Sequence, residues 1–218
     1  MRLRDRLRIS ERQQAWASWL METALVGFLF VGIYTGEVGV AVNSAVGLAV
    51  TQVPALLERE ADFSMDPALV LWITAAVFLH ALGTLGLPGT QSFYQSVPWW
   101  DHLTHALSSS IVAGAGYAFA RAVDEHGESV SFPPAFLFAF LLLVVLAFGV
   151  LWEVIEYGIG AGATLLGTGS VLTQYGLEDT MLDLVFDAVG GVVVAVWGTA
   201  YLVGVVDELR AVFERRAR

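Results

Sequence analysis

The sequence predicts an all-α fold, a polytopic membrane protein built as a bundle of about six transmembrane helices in one domain. Three observations carry this. The 218 residues are 56% hydrophobic and only 15% charged, outside the balance of an ordinary soluble domain. Apolar stretches of about 18 residues or more recur along nearly the whole chain, long enough to cross a bilayer. The arginines fall at alternate ends of those stretches, as the positive-inside rule requires of a polytopic protein.

Taken in order, the spans are 16–34, 38–57, 67–87, 100–123, 134–158 and 179–206. The first does not read as a cleavable signal peptide, because no small-residue cleavage site closes it and a second apolar stretch follows almost at once. Trp16 and Trp19 open it, and Trp99 and Trp100 open the fourth, placing amphipathic rings at opposite interfaces. The third span carries His80 in its outer half. The fourth begins "WWDHLTHALSSS", and the fifth runs through some eighteen apolar residues before it meets Glu153 and Glu156. The sixth carries Asp179, Asp183 and Asp187, followed by Gly190 and Gly191, which would let a neighbouring helix approach closely. Between the fifth and sixth, the run "GIGAGATLLGTGS" at 158–170 reads as a flexible outer loop. It follows no strand and no Lys accompanies it, so it is not a phosphate cradle.

Arg2, Arg4, Arg6, Arg8, Arg12, Arg59, Arg121, Arg210, Arg215, Arg216 and Arg218 all fall on one side of a six-span bundle. That side is expected to be the cytoplasm, with both termini there and the 35–37, 88–99 and 159–178 connections outside, in a cell membrane. All eleven basic residues are Arg. The absence of Lys excludes a P-loop and a Schiff-base lysine, and the absence of Cys excludes disulfides, thiolate metal sites and cysteine nucleophiles. With a pI near 4.7, this bias suggests a salt-adapted, halophile-like source.

The acids divide unevenly. Twelve share the arginine side, which is therefore nearly neutral. The other nine are Glu22, Glu37, Asp101, Glu153, Glu156, Glu178, Asp179, Asp183 and Asp187, and they have no basic residue nearby in sequence. Glu22 and Glu37 read as interfacial, and His126 as a solvated loop residue.

Helical geometry groups the rest. Asp101 and His105 share a face, His102 lies about 100° round the helix, and Ser108 and Ser109 sit one turn deeper. Glu153 and Glu156 are neighbours three apart. Asp179, Asp183 and Asp187 form one stripe about 12 Å long. An acid within a span costs roughly 2.5–3.5 kcal/mol, so protons, water or a cation must compensate the group. Carboxylate with imidazole suits Zn, Mn or Fe, and carboxylate alone suits Mg or Ca. The plainer alternatives are that Asp101 caps the fourth helix, that Asp179 or Thr180 caps the sixth, and that His80 is a hydrogen-bonded packing residue.

The segments "WWDHLTHALSSS", "LWEVIEYGIG" and "EDTMLDLVFDAVGG" resemble the YjdF-like inner-membrane family, and more distantly the VanZ-like proteins. The resemblance covers the fourth to sixth spans. Against the VanZ-like pattern, Glu156 stands where Gln is usual and Asp187 where Asn is usual. The resemblance implies a polytopic membrane protein whose acid and His motifs meet in the bundle, and it supplies no substrate.

The leading expectation is a divalent-metal-dependent membrane enzyme, a hydrolase or transferase acting on a lipid or envelope-precursor head group. Its metal ligands would come from Asp101, His105, Glu153, Asp183, Asp187, Asp179 and His80. Glu156 or His102 would act as general base and Ser108 would orient substrate. The alternatives are a proton- or cation-coupled transporter, and a structural accessory subunit whose polar cluster only fixes packing. The inner halves of the fourth and fifth spans carry no ionisable group that would extend a relay, which leaves Glu22 as the sole inner stepping stone.

Overall fold

The computed structural model describes residues 10–86, 90–126, 131–172 and 174–216. Arg2, Arg4, Arg6, Arg8, Glu128 and Arg218 lie outside them, as does the side chain of His126. Helix dominates: α1 (Glu11–Thr35), α2 (Val38–Thr51), α3 (Val53–Ala61), α4 (Pro67–Gly83), the short α5 (Phe93–Ser96), α6 (Trp100–His126), α7 (Pro134–Leu166), α8 (Leu177–Tyr201) and α9 (Val203–Arg216). The exception among the described residues is a bridge between Gly86 and Ser92. The chain is thus an all-α membrane bundle. Among the described residues, four helical stretches are long and apolar enough to cross a bilayer, namely Glu11–Thr35, Val38–Ala61, Pro134–Leu166 and Leu177–Gly198. Pro67–Gly83 is apolar but shorter. Trp100–His126 has the length, and it carries the polar residues of the site.

Local chemistry sets the boundaries. Ser10 caps α1 through a reciprocal box: its hydroxyl accepts from the Gln13 N–H, and the Gln13 side chain accepts from the Ser10 N–H. Gly36, at φ 76°, closes that helix in the left-handed conformation that glycine adopts without strain. The predicted second span is interrupted at Gln52, because Pro54 brings no N–H to the ladder, and α3 then runs to Ala61. Asp66 caps α4 by accepting from Ala68 N at 2.8 Å, ahead of Pro67.

Three sequence expectations need correction. The 158–170 stretch is not a loop throughout, since α7 continues to Leu166 and ends at Gly167. The helix persists through Gly158, Gly160 and Gly162 despite their poor helix propensity. The sixth span divides at Leu202, a bend that keeps both Leu202 and Val206 buried in a core with Tyr117, Leu141, Val145 and Val194. Neither expected cap holds. Gly176 is the N-cap of α8, and Asp101 is the second residue of α6 rather than the residue before it.

The helices form two groups. One comprises α1, α2 and α4; the other comprises α6, α7, α8 and α9; and α4 packs on α6 to join them. The most extensive association is α6 against α8. A Cβ at Gly190 would collide with the Ala106 carbonyl and the Ser109 hydroxyl, so glycine permits this contact. Gly149 of α7 performs the same task for Asp187 of α8. These two approaches fix the rotation of α8, and with it the direction of its acidic stripe.

Candidate metal centre

His105 stands at the middle of the cluster, in the first turns of α6. Its Nδ1 lies 3.3 Å from Asp187 Oδ1, while its Nε2 faces Asp101 Oδ1 at 3.7 Å and Asp183 Oδ2 at 3.9 Å. One helix supplies the Asp101–His105 pair through its four-residue repeat, and α8 supplies Asp183 and Asp187 through the same repeat. The donor atoms of Asp101, His105 and Asp183 all lie within 4.8 Å of one another. An Nδ1–H donated to Asp187 leaves the Nε2 lone pair pointing at the two remaining carboxylates. This is the tautomer and orientation that metal-bound histidines take when a carboxylate holds their other nitrogen.

Asp183 is the most deeply enclosed member, 1% exposed, and its Oδ1 has no hydrogen-bond partner. The nearest ring to that oxygen is His102, whose Nδ1 stands 3.7 Å away and is likewise without a hydrogen bond. Phe186 stacks flat on the His102 ring at 4.4 Å and fixes its plane. A buried carboxylate oxygen left in this condition is costly unless a cation or a donor completes it. The Arg ion pairs among the described residues lie elsewhere, on Glu60, Asp124, Glu125, Glu214 and Asp62.

The other expected site residues fall round this centre or away from it. Glu153 is buried, but its Oε2 accepts from Thr180 at 2.7 Å and from Gln174 at 3.3 Å, tying α7 to the start of α8. Its Oε1 is buried without a partner. Glu156 accepts from the Trp152 indole at 3.1 Å. Asp179 accepts from Tyr175 N at 3.0 Å and closes the turn into α8. His80 Nδ1 is hydrogen-bonded to the Tyr94 hydroxyl at 2.7 Å, with Trp152 edge-on to its ring. Ser108 is exposed on the outside of α6, whereas Ser109 and Ser110 are the buried serines.

Sequence reasoning missed several supporting groups. Tyr94 lies in a connection between spans, and burial pushes its phenol well above the ordinary range, which keeps it a hydroxyl donor. It also reaches Thr104, whose hydroxyl donates to the Asp101 carbonyl. Gln174 likewise lies in a connection where periodicity gives no signal, and Thr180 stands out in sequence only as a capping candidate. Asn43 of α2 donates to the Val171 carbonyl at 2.9 Å, anchoring the segment that leads to Gln174. Thr180→Val keeps the shape of the side chain and removes the shorter bond to Glu153. It is expected to cost about 1 kcal/mol, read as a lower melting temperature in detergent.

The family whose description is "Predicted membrane protein (DUF2238)" matches residues 16–204. An uncharacterised protein of Thermotoga maritima is 34% identical over 141 residues, covering 63% of this chain. The match spans 65% of that relative's length, just under two thirds. No solved structure matches.

Proposed function

The chain belongs to the DUF2238 family of predicted membrane proteins, and from that premise we propose that it is a divalent-metal-dependent enzyme acting on a lipid or envelope head group. Asp101, His105 and Asp183 would hold the ion, and Asp187 would fix the His105 tautomer from the far side of the ring. The observation that carries this reading is the enclosed Asp183 carboxylate, with one oxygen unpartnered among imidazole and carboxylate groups and, among the described residues, no arginine paired with them. Mixed oxygen and nitrogen donors suit Zn, Mn or Fe. Such an ion polarises an ester or phosphoester and activates water. His102, held flat by Phe186 beside Asp183, is placed to take the proton. Glu156 is the second candidate base. Ser108, on the exposed side of α6, takes no part.

The site belongs to the end of the bundle that carries Trp99, Trp100 and Gln174. The arginine distribution supports reading that end as the outer face of a cell membrane, with both termini cytoplasmic.

The test uses purified protein in vesicles made from a total bacterial lipid extract, with release of water-soluble head group as the readout. Release is expected with Zn, Mn or Fe and not with chelator, and His102→Gln should slow it about 100-fold. Release unaffected by chelator, or absent with every divalent ion, overturns the reading. Cation counterflow in the same vesicles, lost in Asp183→Asn, would favour a carrier instead.

A further inference from the structure

A second feature stands apart from the acid and histidine cluster and does not rest on the metal reading. A cavity of about 1000 Å³ lies in the cleft between α4 and the α6, α8 and α9 group. Its size is at the top of the range for ligand pockets, about 300–1,000 Å³. Trp72, Leu107, Val193 and Trp197 line its length. Trp197 is 55% exposed, so the cleft is continuous with the lipid-facing surface.

The end beside the start of α1 and the middle of α9 is polar. Gln14, Ser64 and Glu208 line it. Gln14 is only 5% exposed, and its Oε1 has no hydrogen-bond partner. Glu208 Oε1 already accepts from the Ser64 hydroxyl at 3.3 Å. The Gln14 carbonyl oxygen and the Glu208 carboxylate therefore give this end a negative charge and more acceptor sites than the two N–H donors of the Gln14 amide can use. The matching ligand has hydrocarbon chains for the walls and, at one end, a group bearing N–H donors and positive charge.

We infer that the cleft binds one two-chain membrane lipid with a primary ammonium head, of the phosphatidylethanolamine type, its ammonium on Gln14 Oε1 and Glu208. A quaternary ammonium head offers no N–H, and a net anionic head is repelled by Glu208, so both bind more weakly.

Tryptophan quenching by lipids with brominated chains tests this. The cleft signal is the difference between the full chain and the Trp72→Phe/Trp197→Phe variant, in vesicles holding equal fractions of brominated phosphatidylethanolamine, phosphatidylcholine or phosphatidylglycerol. Phosphatidylethanolamine should be preferred by about tenfold, a ratio that one charge-assisted hydrogen bond supports. Gln14→Leu, with Glu208→Gln as a second variant, should abolish the preference while chains still bind. Gly204 lines the cleft, and a Cβ there meets nothing within 4 Å, so Gly204→Phe should fill the space and remove cleft quenching by all three lipids. Equal quenching by the three lipids in the unaltered chain overturns the inference. So does quenching that persists in Gly204→Phe, which would mark ordinary boundary lipid, or no cleft quenching at all, which would mark a cleft closed by another protein. Metal content and head-group release are untouched by these variants, so failure here and failure of the proposed enzyme are separable.

Discussion

Asp183→Asn is expected to lower the melting temperature of the purified protein by about as much as chelation does, and chelator should then have no further effect on the variant. A bound ion at about one hundred times its dissociation constant stabilises a folded state by roughly 2.7 kcal/mol. For a chain of this size that corresponds to a shift of about 5–10 °C. The sign makes the test sharp. Without an ion, Asp183 is a buried acid with an unpartnered oxygen, 1% exposed, and its neutral amide isostere should leave stability unchanged or raise it. Melting scans with and without chelator, alongside elemental analysis, separate the two cases. A variant as stable as the parent, in a protein that carries no stoichiometric divalent ion, would eliminate the metal centre.

Gly190→Val should produce the second large effect, a loss beyond the roughly 1–3 kcal/mol usual for overpacking, because the new Cβ meets a backbone carbonyl that cannot turn aside. Gly190→Ala should also destabilise, although glycine to alanine within a helix ordinarily stabilises by up to about 1 kcal/mol. Gly204→Ala provides the contrast, since its Cβ enters open space and should be neutral or favourable. Melting in detergent compares the three. If Gly190→Ala is no less stable than Gly204→Ala, α6 and α8 are not in the close contact described, and Asp183 and Asp187 do not bracket His105.

Much of the site is legible in the residues before any fold is known. Asp101 with His105, and Asp183 with Asp187, are four apart, so each pair shares a helical face whatever the rest of the molecule does. The lack of any basic residue near them in sequence marks them as a set needing compensation. Less legible is which acids join that set. Glu153 looks equivalent to Asp183 in sequence, yet Thr180 and Gln174 hold one of its oxygens. His80 looks like a fourth donor, yet it is bonded to Tyr94. Ser108 and Ser109 are adjacent, and only the second turns inward.

The amino-acid sequence determined the all-α membrane class, the approximate positions of the helices and the grouping of polar residues within each one. Those follow from hydropathy over the width of a bilayer and from the 3.6-residue repeat, both properties of a single segment. Only the tertiary structure decided which helices meet and at what rotation, where the long helices bend or continue, and which carboxylates surround His105. Relative rotation is set by contacts between segments, such as Gly190 against Ala106 and Gly149 against Asp187, and by tethers from the connections, such as Gln174 and Tyr94. No periodicity within one helix encodes the phase of its neighbour.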